Sequence, residues 1–376
     1  MIFTLEALQA EKGDSLILHF GKPTAPRFIV IDGGPAVVYG NTLKPRLEQI
    51  RRKFKNKKDG KLDIDMVMVS HIDDDHINGI LRWFEELQDK GLPFNIGTLW
   101  FNSFDEAIGN LDKELKSALA ALTVKSAPVD SKAIVASVGQ GRSLRSTTDL
   151  LGIGFNEGFI GLVMAPEKIQ DAVLDIGAGL KFHVLCPSRK RLEALGTEWE
   201  AKIKDSKNKA MVAAFSDTSI ANLSSIVVLA ECGGKRMLLT GDARGDDILF
   251  GLEHGGLLKG GKIHVDLFKF PHHGSNRNMT LEFLRQVTAD HYVISANGEN
   301  DNPDPEIFGW LAKARGKDPY TIYITNEKLR EPKKKRNVEK IVKQALADNP
   351  SPKRKVVFRN DTALSLKVDL LDAVKF

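Results

Sequence analysis

The segment from Met66 to His76 reads Met-Val-Met-Val-Ser-His-Ile-Asp-Asp-Asp-His. An apolar run ends, and two imidazoles and three carboxylates follow within six positions. Such groups cannot crowd together cheaply unless something cationic holds them. A divalent metal does so. His71 and Asp73 can face one way from a turn, while Asp75 and His76, at the start of a helix, face a second ion close by. Mixed His and carboxylate donors suit zinc, manganese or iron and disfavour calcium. Helix capping alone would account for Asp74 or Asp75, but not for both histidines.

Two further apolar runs end the same way. Leu238-Leu239-Thr240-Gly241-Asp242 closes on a carboxylate whose two oxygens can bridge two ions. Val265 to Phe270 leads into Pro271-His272-His273-Gly274-Ser275. Adjacent histidines point differently, so one is expected to be a ligand and the other to face substrate. Each of these signals is weak alone. Three strand ends presenting His or Asp in one chain are hard to reconcile with chance.

The elements that must position these groups are legible from periodicity. Strands are expected at Ile2–Leu8, Leu16–Phe20, Phe28–Ile31, Ile64–Val69, Ile226–Ala230, Arg236–Leu239, His264–Phe270, Tyr292–Ser295 and Thr321–Thr325. Lys355–Phe358 and Ala363–Leu370 read as a final strand pair. Gly233-Gly234 marks a hairpin. Helices are expected at 43–58, 77–87, 105–123, 189–206, 280–288 and 304–315. The sum is a mixed α/β protein: a single domain over 1–376, with 103–220 as an inserted elaboration and 320–376 as basic C-terminal strands.

Composition narrows the class. The 376 residues are 42% hydrophobic and 27% charged, as in soluble globular chains. No run of 18 apolar residues occurs, so no membrane-spanning helix is expected. The N-terminus has no secretory pattern, and the two cysteines exclude a disulfide scaffold; a cytoplasmic location is expected. The net charge of +5 is unevenly spread. Residues 301–376 hold 17 Lys/Arg against 11 Asp/Glu, an excess of 6, so the other 300 sum to −1. Lys44–Lys61 alone has nine basic residues against two acidic ones. These segments, with Lys333–Arg336 and Lys353–Lys355, could meet a polyanion, although on charge alone a solvated surface is the preferred reading.

The motif set resembles the metallo-β-lactamase fold superfamily, and within it the hydrolase domain of the ComEC competence protein and the teichoic acid phosphorylcholine esterases. The shared features are His71-Ile72-Asp73-Asp74-Asp75-His76, Gly13-Asp14-Ser15, Ile31-Asp32-Gly33-Gly34, Asn222-Leu223-Ser224-Ser225, Thr240-Gly241-Asp242 and Pro271 to Ser275, in family order. The resemblance implies a four-layer αβ/βα sandwich with the site at the strand ends between the sheets. It implies two divalent ions, zinc or manganese. His71, Asp73 and His273 would hold one, Asp75 and His76 the other, and Asp242 would bridge. Asp75, His272 and Asp242 are the expected catalytic residues, with Asp74 facing away.

One departure stands out. Asn302 occupies the place where the family has a His that ligates the second metal. Either that ion binds weakly, or it is a harder, manganese-like ion, or Asp301 or Asp304 substitutes. Ser275, Arg277 and Asn302 are candidates for touching substrate, Arg277 as a bidentate clamp on phosphate.

The expected activity is metal-dependent phosphodiester hydrolysis, with nucleic acid as one candidate substrate. The alternatives are a phosphodiesterase for small or lipid-linked substrates, and a catalytically weak metal-binding partner in a larger assembly.

Overall fold

The computed structural model describes residues 1–103, 132–167, 173–192, 224–326, 328–331 and 336–376. In chain order the strands are β1 (Ile2–Leu8), β2 (Leu16–Lys22), β3 (Ala25–Ile31), β4 (Leu62–Val69), β5 (Phe94–Phe101), β6 (Gly154–Phe155), β7 (Val173–Gly177), β8 (Leu180–Cys186), β9 (Val227–Cys232), β10 (Lys235–Leu239), β11 (Ile263–Lys269), β12 (Val287–Ile294), β13 (Tyr320–Ile324), β14 (Arg330–Glu331), β15 (Arg336–Asn337), β16 (Arg354–Phe358) and β17 (Ser365–Asp369). One sheet has the order β17-β1-β2-β3-β4-β5-β6, the other β16-β13-β12-β11-β10-β9-β8-β7, and β14 pairs only with β15.

The strands are apolar on both faces because both faces are covered. On β4, Met66 and Met68 point between the sheets, where they meet Phe3, Leu18, Phe182, Val228, Met237 and Leu267. Val67 and Val69 point outward, against Leu47 and Ile50 of the helix Lys44–Phe54 and against Ile77, Ile80 and Phe84 of the helix Asp74–Lys90. The second sheet has its own outer layer, with Ile248, Leu252, Phe283, Phe308 and Leu311 on Leu229, Phe268 and Tyr292. Each such buried side chain contributes about 1.5–3 kcal/mol. Helix, sheet, sheet, helix is the four-layer sandwich expected from the motifs.

The helix Asp74–Lys90 shows how local signals set an element. Asp74 and Asp75 in its first turn complement the helix dipole. Its apolar residues recur at helical spacing, and Gly91, at φ 60°, closes it in the left-handed conformation.

Some expectations are revised. Lys355–Phe358 and Ala363–Leu370 do not pair with each other. β16 lies parallel to β13 in the second sheet, whereas β17 lies antiparallel to β1 in the first. The stretch 103–220, read as an elaboration, contributes β6 to one sheet and β7 and β8 to the other. Residues 105–123 and most of 189–206 lie outside the described residues. Both cysteines are buried and free. Among the described residues no helix is long and apolar enough to cross a membrane.

Charge is also buried away from the strand ends. Glu6 on β1 accepts from His19 Nε2 on β2 at 2.7 Å and from Arg46 Nε at 2.6 Å, and all three side chains are buried. Burial alone would raise the Glu6 pKa. His19 and Arg46 outweigh it and lower the value to about 2.

Candidate active site

Every motif singled out in the sequence and placed in the described residues opens at one end of the sandwich. β3, β4 and β5 run parallel, as do β10, β11, β12, β13 and β16. Their C-terminal ends deliver Asp32, His71, Asp242, His272 and Ser295 to one rim, the usual place for a site in an α/β sheet. The sheets touch there: Ile226 N donates to Ser70 O at 2.8 Å. Gly241, at φ 50°, makes this approach possible, since a Cβ on it would lie 2.8 Å from the Ser70 Cβ.

Asp242 is the hub. Its Oδ1 lies 3.3 Å from His76 Nε2, and its Oδ2 lies 3.7 Å from His71 Nε2, 3.8 Å from His272 Nε2 and 3.8 Å from His273 Nε2. Two donors bound to one tetrahedral ion at about 2.1 Å stand about 3.4 Å apart. The spacing is therefore that of donors arranged to share a cation.

The imidazoles are oriented for this. His76 Nδ1 donates to Asp32 Oδ2 at 2.9 Å, and His273 Nδ1 to Ser295 O at 3.0 Å. Ser70 Oγ donates to Asp32 Oδ2, which leaves it to accept from His71 Nδ1 at 3.0 Å. Asn278 Nδ2 donates to Asp242 O, so its Oδ1 accepts from His272 Nδ1 at 2.8 Å. These partners assign the proton to Nδ1 in all four rings and turn Nε2 toward Asp242. Nε2 of His71, His76 and His273 is buried without a hydrogen-bond partner. Orphan ring nitrogens converging on a carboxylate, each braced from behind, are what a metal site requires.

Electrostatics agree. Burial disfavours charge on His76, yet Asp242 and Asp32 raise its pKa well above the usual imidazole value. His273 is likewise raised against its burial, by Asp242, Asp14 and Asp75. Burial would raise the Asp242 pKa, but His76, His272 and His273 hold it well below the usual carboxylate range. The pocket is built to stabilise positive charge at its centre.

The expected ligands are linked in more than one way. His71 Nε2 lies 3.6 Å from Asp73 Oδ2, and His273 Nε2 lies 3.7 Å from Asp75 Oδ2. His273 thus lies beside Asp75 while sharing Asp242 Oδ2 with His71. The reason is local. His272 and His273 both have positive φ, 47° and 54°, so the chain reverses sharply after β11 and their rings diverge at 86°. His273 turns inward and is buried; His272 is 29% exposed at the mouth.

Asn302 is buried after the turn Glu299–Asp301, and its Nδ2 donates to His272 O at 3.4 Å. Asp304 accepts from Asn276 N at 2.8 Å and so braces the His272 loop. Neither it nor Asp301 belongs to the metal-capable group of Asp14, His76, Asp242 and His273, and neither do His71, Asp73 and Asp75. Ser275 is buried, and its hydroxyl accepts from Arg277 N within the loop; Arg277 itself is exposed at the rim. Asp74 points away, to Asn78 and Gln140. Asn222 and Leu223 lie outside the described residues.

Sequence reasoning placed Asp14 and Asp32 in the motif set without giving either a role, and did not single out Asn278 or Lys269. Asp32 was legible only as part of a turn. The other signal was Lys269, a lone charge between Phe268 and Phe270. Asp32→Asn should weaken metal binding about 10–100-fold, the usual cost of losing such a supporting carboxylate. Titration with Zn²⁺ against a chromophoric chelator measures this.

No family model matches the chain, and no curated protein does. Among solved structures the chain is similar to Zn²⁺-bound PqqB from Methylobacterium extorquens, at 11% identity and TM-score 0.40, covering 96% of this chain and 88% of that one. A Parabacteroides distasonis protein, provisionally described as a metal-dependent hydrolase, is 9% identical with TM-score 0.31, over 86% and 98% of the two chains. A variant of the CmlA beta-hydroxylase is 9% identical with TM-score 0.35, over 97% and 54%. Values this low assign no activity. The sandwich is established by the strand order and its three apolar layers.

Proposed function

We propose that the protein is a metal-dependent hydrolase of the metallo-β-lactamase type, acting on phosphodiesters. The observation that carries this reading is Asp242, whose Oδ1 faces His76 and whose Oδ2 faces His71, His272 and His273, with Asp73 beside His71 and Asp75 beside His273. His71, Asp73 and Asp242 would hold one divalent ion; Asp75, His76, His273 and Asp242 would hold a second. Ions there would lower the pKa of water and offset charge developing on a phosphoryl group.

The chain's own residues supply the rest. Asp32, Ser70, Ser295 and Asn278 fix the tautomers. His272, half-exposed at the mouth with Nδ1 held by Asn278, is placed to pass a proton to a leaving oxygen. Arg277 at the rim is available to a phosphate oxygen.

The basic segments bear on substrate size. The site is at the C-terminal end of β4, but Lys53–Lys61 precedes its first residue, about 25 Å away along an eight-residue strand. Lys353–Lys355 likewise opens β16 at the end remote from the site. Part of the other segment is spent on ion pairs, Lys44 with Glu86, Arg46 with Glu6 and Arg51 with Glu48. Arg336, in β15, follows the site end of β13; Lys333 to Lys335 lie outside the described residues. This favours a small or locally gripped phosphodiester over a long polymer wrapped around the body. Replacing Lys53, Lys55, Lys57 and Lys58 by Gln should change the hydrolysis of single-stranded nucleic acid, where it occurs, by less than about twofold, since the charges lie beyond two Debye lengths from the site.

The deciding experiment incubates the protein with Mn²⁺ or Zn²⁺ and bis(p-nitrophenyl) phosphate, alongside single- and double-stranded DNA and RNA. Release of p-nitrophenol with intact polymers supports the small-substrate form. Metal uptake without cleavage of any phosphodiester would sink the reading in favour of a non-catalytic metal-binding partner.

A further inference from the structure

Behind His273, on the side away from Asp242, lies a buried ion pair that no catalytic step requires. Lys269 Nζ is 2.7 Å from Asp14 Oδ2 and donates to Phe270 O at 2.8 Å. Lys269 is fully buried and Asp14 is 1% exposed. Asp14 Oδ1 lies 3.5 Å from His273 Nδ1, the nitrogen that faces away from the cluster. Yet Asp14 could be a ligand, because a carboxylate oxygen of it lies within 4.8 Å of donor atoms of His76, Asp242 and His273.

The loop that carries Asp14 is locked in place. Asp14 N donates to Asp75 O at 3.2 Å, and Ser295 Oγ donates to Gly13 O at 2.6 Å. A Cβ on residue 13 would come within 1.9 Å of Asp75 O, so only glycine permits this approach. The carboxylate is thus fixed against both Asp75 and His273. A buried Lys–Asp pair is expensive to desolvate, and an apolar pair of the same size would often stabilise a fold as well.

We propose that Lys269 and Asp14 are positioning residues for the cluster: Lys269 claims the Asp14 carboxylate, keeps it out of the ligand set as a neutralised brace behind His273, and thereby sets how tightly the site holds a cation. With Asp14 claimed, Asp73, Asp75 and Asp242 are the carboxylates left to face an incoming ion. This inference rests on the metal-centre reading above.

The test measures Zn²⁺ and Mn²⁺ affinity of the full chain by competition with a chromophoric chelator, together with thermal unfolding, for wild type, Asp14→Asn, Lys269→Met and the double variant. Asp14→Asn leaves an unpaired ammonium beside the cluster and should weaken binding about tenfold or more. Lys269→Met releases the carboxylate and should tighten binding. The double variant restores neutrality and should return to within about threefold of wild type. A double variant as weak as Asp14→Asn would overturn the proposal by making Asp14 a direct ligand. Equal affinities in all folded variants, with only the unfolding temperature lowered, would overturn it by making the pair structural. Should a single variant not fold, the double variant decides: near-wild-type affinity upholds the brace, and loss beyond about tenfold refutes it. Wild type that binds neither ion fails the metal reading itself, which separates that failure from this one.

Discussion

Asp242→Ala is expected to lower kcat/KM for a phosphodiester by at least about 10³-fold, since metal-borne charge stabilisation contributes several kcal/mol and each 1.36 kcal/mol is a factor of ten. The argument is geometric. Among the described residues Asp242 is the one carboxylate within 4 Å of Nε2 of all four imidazoles. Its backbone is also tied in: Asp242 O accepts from Asn278 Nδ2, and Oδ1 accepts from His272 N at 3.1 Å. Alanine removes the shared donor and, with it, the Oδ1 bond to the His272 loop. Bound metal should fall below that of wild type in the same preparation, as measured by atomic emission. Asp242→Asn keeps the shape but loses a charge and one oxygen donor, so it should recover folding without recovering turnover. Full activity in either variant, at saturating metal, would remove Asp242 from the centre and with it the proposed mechanism.

Glu6→Gln is expected to cost about 3–5 kcal/mol of stability at pH 7, because it leaves the buried Arg46 guanidinium without its charge partner. The pH dependence has a definite sign. The folded Glu6 pKa is lowered from 4.5 to about 2. Its contribution is therefore complete above about pH 4.5 and is lost as pH falls toward 2. Urea unfolding of wild type and Glu6→Gln should give a large difference at pH 7 that shrinks steadily below pH 4.5. A constant gap across that range would mean that Glu6 stabilises the fold through packing and not through its charge. The pair lies on the outer face of β1 and β2, so activity per folded molecule should be unchanged.

Much of the site was written in the order of residues. His71, Asp73, Asp75, His76, Asp242 and His273 were recognisable because each closes or follows an apolar strand, and helix capping accounts for only one of the carboxylates and for none of the imidazoles. The strands themselves were readable wherever an apolar run was long. β5, β7 and β8 were not, because Asn95 and Thr98 in β5 and Lys181 and His183 in β8 interrupt their apolar pattern with polar residues whose partners come from other strands. Thr98, for example, donates to Gly154 O of β6, and His183 pairs with Glu231 of β9.

Residue types at strand ends carry the proposed chemistry, since imidazole and carboxylate next to buried apolar backbone are costly without a cation to share. Tertiary structure alone decided which groups face one another. His273 comes to face Asp75 and Asp242 because two consecutive left-handed residues reverse the chain after β11, and backbone angles of that kind are not encoded in a His-His pair. The roles of Asp14, Asp32 and Lys269 were likewise decided in space. Each bonds a group from a distant part of the chain, and only the packing of two sheets at one rim brings those groups within reach. The same packing sends Lys53–Lys61 to the far end of β4, because a helix that returns antiparallel to its strand must leave its last residues where that strand begins.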